Sequence, residues 1–66
     1  MREQILETLR SHAAGQLNKH KMNVEIYLNY PVGVGEHSDI METIESELKQ
    51  VAEYQDQLDI LDKYFK

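Results

Sequence analysis

The chain contains no cysteine. That excludes a disulfide framework and a thiolate zinc site, two of the usual means by which chains of this size stay folded. The same absence is compatible with a reducing cytoplasm. Long apolar runs are missing as well. The opening stretch MREQILETLRSHAAGQLNKH places a charged or polar group every two or three positions, so it holds no signal-peptide core, and no later segment is apolar enough to span a bilayer. A secreted or membrane-embedded protein is therefore not expected. Basic residues are also few, with 7 Lys and Arg against 12 Asp and Glu, a net charge of -5 and a pI of about 5.0. This balance argues against nucleic acid as a partner, because binding to phosphate backbones relies on clustered cations releasing counterions.

What remains is a chain of 66 residues and 7.8 kDa, one domain at most, in the size range where a single core gives marginal stability. Oligomerisation is the expected source of further stability. The charge is unevenly divided. Arg2, Arg10, Lys19 and Lys21 slightly outnumber Glu3, Glu7 and Glu25 in residues 1 to 29, whereas residues 38 to 66 carry eight carboxylates, among them Glu45, Glu53, Asp59 and Asp62, against Lys49, Lys63 and Lys66, and Glu36 lies between. Complementary halves favour packing together, although each surface pair contributes only about 0.2–1 kcal/mol.

Apolar residues recur in the second half at Met41, Ile44, Leu48, Val51, Tyr54, Leu58, Leu61 and Phe65. Steps of three and four place them on one stripe of a helix. Ser38 or Asp39 can cap its first turn, and Asp39 with Glu42 approximates a capping box. Glu45 with Lys49, Asp59 with Lys63 and Asp62 with Lys66 have the spacing of intrahelical ion pairs. In the first half, Ile5, Leu9, Ala13, Leu17, His20, Val24 and Leu28 follow steps of mostly four, widened by Leu6 and Tyr27. Two features resist a helix there. Gly15 costs roughly 1 kcal/mol relative to Ala, and Val24, Ile26, Leu28 and Tyr30 alternate as a strand would. A lone strand has no partner, since Val32 to Val34 is too short and interrupted by Gly33, so the helical reading is preferred. Gly15 beside Ala13 and Ala14 then marks a close helix approach or a mild kink.

Pro31, Gly33 and Gly35 stop and reverse the chain between the two helices. The expected fold is all-α, an antiparallel helical hairpin with a helix over about 2–29, a loop over 30–37 and a helix over about 38–65. Apolar residues beside the main stripes point to a homo-oligomer, most simply a dimer forming a four-helix bundle. Ile40, Tyr54, Leu61 and Tyr64 are the candidate oligomer-interface residues, and a tip of Tyr30, Pro31, Val32 and Val34 is a candidate contact for another partner.

No enzymatic constellation stands out. His12, His20 and His37 lack the spacing of helical metal ligands, and Glu-x-x-His is absent; His20, on the apolar stripe, reads as a partly buried, hydrogen-bonded histidine. The carboxylates, with Asp56, Asp59 and Asp62 at three-residue intervals, read as a solvated face, with an acidic docking face for a basic partner as the alternative. Ser11, Ser38 and Ser46 lack a nucleophile-elbow setting. Gly33-Val34-Gly35 lacks the rest of a phosphate-binding fingerprint. No catalytic residue, metal or cofactor is expected.

The stretch Val24-Glu25-Ile26-Tyr27-Leu28-Asn29-Tyr30-Pro31-Val32-Gly33-Val34-Gly35-Glu36-His37-Ser38-Asp39-Ile40 resembles small uncharacterised proteins encoded by contractile-tailed marine cyanophages. The likeness extends through the second helix to Lys63-Tyr64-Phe65 and more loosely over the first. It implies a setting, the cytoplasm of an infected cyanobacterium or virion assembly, and carries over no catalytic residue. The functional expectation is a non-enzymatic helical protein that oligomerises and binds or modulates a host or phage protein. The alternatives are a structural or assembly component of the virion, and a metal-dependent activity formed at an oligomer interface.

Overall fold

A computed structural model describes residues 1–30 and 39–66, which form two helices, α1 (Arg2–Asn29, 28 residues) and α2 (Ile40–Tyr64, 25 residues). There is no strand among the described residues. The helices lie antiparallel, with the start of α1 beside the end of α2, and give a rod of 47 × 17 × 16 Å. Pro31, Val32 and Val34 of the candidate tip, and Ser38 as a candidate cap, fall outside the described residues.

Asp39 caps α2. Its carboxylate accepts from the backbone N–H of Met41 at 2.9 Å and of Glu42 at 3.4 Å, satisfying donors that lack an intrahelical partner. The helix accordingly begins at Ile40. The first helix runs unbroken through Gly15 and through the stretch whose alternation suggested a strand. It ends where the Asn29 side chain donates back to the Glu25 carbonyl at 2.7 Å and Tyr30 adopts a non-helical ψ of 65.

The seam between the helices follows a stricter period than the apolar letters alone suggest. On α1 it runs Leu6, Arg10, Ala13, Leu17, His20, Val24, Tyr27; on α2 it runs Ile40, Ile44, Glu47, Val51, Tyr54, Leu58, Leu61. Both follow steps of four and three without a break, the heptad of a left-handed coiled coil. Ala13 and Leu17 are buried, and the others are half-buried. The hairpin therefore has a thin core.

Several expected seam residues lie elsewhere. Ile5, Leu9 and Leu28 of α1, with Met41, Leu48 and Phe65 at the two ends and middle of the second stripe, are exposed. A step of four overshoots a full helical turn by about 40°, so successive steps of four carry a residue off the seam unless a step of three brings it back. Tyr54 and Leu61, expected both on this stripe and at an oligomer interface, are half-buried positions of the hairpin's own seam, as is Ile40, while Tyr64 is exposed.

Gly15 also differs from expectation. It is exposed, and a Cβ added there would meet nothing within 4 Å. No helix of this chain approaches it closely, and the helix does not break. The intrahelical pairs of Lys49, Lys63 and Lys66 are not formed either; among the described residues Arg10 pairs with Asp62 and His20 hydrogen-bonds to Glu47, both between the helices.

Candidate functional site

The most organised polar group sits in the middle of the seam. His20 Nδ1–H donates to Glu47 Oε2 at 2.5 Å, and the Asn23 amide donates to Glu47 Oε1 at 3.2 Å. Both carboxylate oxygens are thereby engaged. The His20 and Glu47 side chains keep only 13% and 18% of their exposure. His20 lies on the seam one step of three after Leu17, and Asn23 one turn further on the same side of α1, so both reach the same carboxylate across the helix pair. Among the described residues no buried side-chain nitrogen or oxygen is left without a partner. This matters because an unpaired carboxylate in such a place costs far more than its pairing returns.

Tyr54 extends the layer. Its ring lies nearly parallel to that of His20, with centroids 6.2 Å apart and planes at 5°, and edge-on to that of His12 at 6.0 Å and 79°. The register set by His20 and Glu47 places Tyr54 level with Ala13, which is 0% exposed. The absence of a side chain beyond Cβ at Ala13 leaves room for the phenol ring. A second polar layer closes the open end. Arg10 donates from Nε to Asp62 at 3.4 Å and from Nη2 to the Phe65 carbonyl at 3.3 Å, and Arg2 donates to the Lys66 carbonyl at 3.3 Å. These satisfy carbonyls at the C-terminal end of α2, where cations are also favoured by the helix dipole.

A histidine held by a carboxylate is a common orienting pair in catalysis, but the pair alone provides no nucleophile, and here Glu47 is committed to His20 and Asn23 together. Among the described residues no group of three or more His, Asp or Glu is arranged to hold a metal ion. The layer's evident effect is to fix which residues of α2 face which residues of α1. A reading of apolar letters misses both Arg10 and Glu47. An unbroken alternation of four and three, followed through polar letters as well, finds them.

Outside the seam the hairpin has two unlike flanks. Lys21, Val24, Glu25, Leu48 and Val51 line one cleft of about 180 Å³, which puts Leu48 on the same flank as Lys21 and Glu25. With the helices antiparallel, the opposite flank carries Leu9, Ile26, Ile60 and Tyr64, all exposed. On α1 a groove of about 270 Å³ is lined by Gln4, Ile5, Thr8 and Leu9. Of the candidate partner-binding tip, Tyr30 is 68% exposed and belongs to this Leu9 flank. No helix among the described residues is long and apolar enough to cross a membrane. In comparisons with protein-family models, with curated proteins and with solved structures, the chain matches none.

Proposed function

We propose that the chain is a non-enzymatic interaction protein, a helical hairpin that associates with itself and, in that form, binds or modulates a host or phage protein. One observation supports self-association above the rest. A folded monomer of 7.8 kDa has about 4,400 Å² of accessible surface by the usual scaling, whereas this chain has 5255 Å², an excess of roughly 900 Å². A standard interface takes about 800 Å² from each partner. The hairpin thus has surface to lose on the scale of one protein contact.

Its thin core points the same way. Among the described residues only Ala13 and Leu17 are buried, so burial within one hairpin does little to offset the conformational entropy of ordering the chain. Folding and association should be linked. Sedimentation and thermal melting across a wide concentration range test this, with a melting temperature that rises with concentration as the expected result. A folded monomer with a concentration-independent melting temperature refutes self-association. For the further partner, a tagged chain recovered from infected cells should retain one protein at a fixed ratio; recovery of the chain alone counts against that part of the reading.

A further inference from the structure

A hairpin of two helices turns the back of each toward solvent, and the two backs of this one are composed differently. Counting Ala13 and Glu47 as d, Leu17 and Val51 as a, heptad positions b, c and f point away from the partner helix. They hold twelve residues of α1 and ten of α2, all exposed. Seven of the ten on α2 are charged, in keeping with a helix face that meets water. On α1 only Lys19 and Glu25 are. The α1 face also carries Ile5, Met22 and Ile26 as exposed large apolar side chains, against Ile60 alone on the α2 face. The groove lined by Gln4, Ile5, Thr8 and Leu9 opens on this side. Resting on the self-association just proposed, we infer that two copies meet through the outer face of α1 and leave the outer face of α2 in water.

Size and charge both select a second copy as the occupant. At 28 residues α1 is about 42 Å long, and the roughly 900 Å² by which the hairpin's surface exceeds that of a folded monomer matches the 800 Å² or so taken from each partner in a standard contact. The chain carries a net charge of -5, so two copies repel unless they meet where charge is least. The outer face of α2 holds five carboxylates against Lys49 and Lys63, whereas that of α1 is neutral. Contact through α1 therefore keeps the two acidic faces on opposite sides of the dimer. Contact through α2 would desolvate those carboxylates against one another. A head-to-tail contact, α1 of one copy on α2 of the next, would bury the same charges against apolar side chains and would form open chains instead of a closed dimer.

Met22 on the α1 face is 64% exposed and Ile60 on the α2 face 41%, so a charge at either leaves the hairpin folded. In sedimentation, Met22→Glu should weaken the dimer at least about tenfold, and Ile60→Glu should leave it within about threefold. The absence of cysteine allows a second readout that does not disturb the contact. Alkylation of Thr8→Cys should slow about fivefold or more from dilute to concentrated protein, while Ser46→Cys on the α2 face reacts at one rate throughout. Wild type that is monomeric at every concentration overturns the self-association reading and this inference with it. Where wild type dimerises, survival of the Met22→Glu dimer, loss of the Ile60→Glu dimer, or undiminished reactivity of Thr8→Cys overturns the choice of face alone.

Discussion

The two flanks of the hairpin are built from the same two helices, yet they differ both in how many exposed apolar residues they carry, six on the Leu9 flank against Leu28, Met41 and Leu48 on the other, and in where those residues sit. On the Leu9 flank they occupy both ends around a nearly neutral middle. On the Leu48 flank they crowd one end, with carboxylates at the other. Both the amount of exposed apolar surface and its arrangement therefore distinguish the two faces.

The seam is common to both flanks and should show the largest effect. Leu17 is 8% exposed, so Leu17→Ala is expected to cost about 2–4 kcal/mol by chemical denaturation, whichever face associates. Leu48→Ala, at 50% exposure, should cost under about 1 kcal/mol. Equal losses at the two would return Leu48 to the seam. Next comes the polar layer between the flanks. Glu47→Gln keeps the shape but removes the charge that both His20 and Asn23 address, and a loss of about 1–3 kcal/mol is expected. No loss at all in equilibrium unfolding would mean the layer does not hold the helices in place.

The flanks themselves are separated by a pair of milder changes. Ile26→Ser should lower the melting temperature of concentrated protein toward that of dilute protein, with little effect once dissociated, whereas Met41→Ser should do neither. The smallest effect is a gain. Because Gly15 is exposed with open space around it, Gly15→Ala should stabilise the hairpin by about 0.5–1 kcal/mol through helix propensity. A loss instead, confined to the associated form, would place Gly15 against another chain.

How much of this was legible in the letters depended on where polar groups fell. Two helices, their ends near Asn29 and Asp39, and the hairpin class follow from apolar periodicity, Asp39 and the Pro-Gly stretch. The exact seam does not. Ile5, Leu9 and Met41 are as apolar as the residues that replaced them, while Arg10 and Glu47 occupy core-facing positions that an apolar count skips. What resolves the register is a contact between chain segments far apart in sequence, His20 with Glu47, and no local pattern contains it. Tyr54 illustrates the same point: its letters allow a seam residue or an interface group, and Ala13 opposite it provides the space for its ring within the hairpin.

The central carboxylate also limits how the molecule can move. Some helical proteins transmit signals by ratcheting one helix past another by a turn or so. A slide of one heptad in either direction here would carry Glu47 from His20 to Ala13 or to Tyr27, leaving a charge without its hydrogen-bond partners among apolar neighbours. Such a slide would break both hydrogen bonds to Glu47 and leave its carboxylate against side chains that offer no equivalent donors. Any response to a bound partner must then pass through the hairpin as a rigid lever, or through separation of its arms, and not through sliding of one arm along the other.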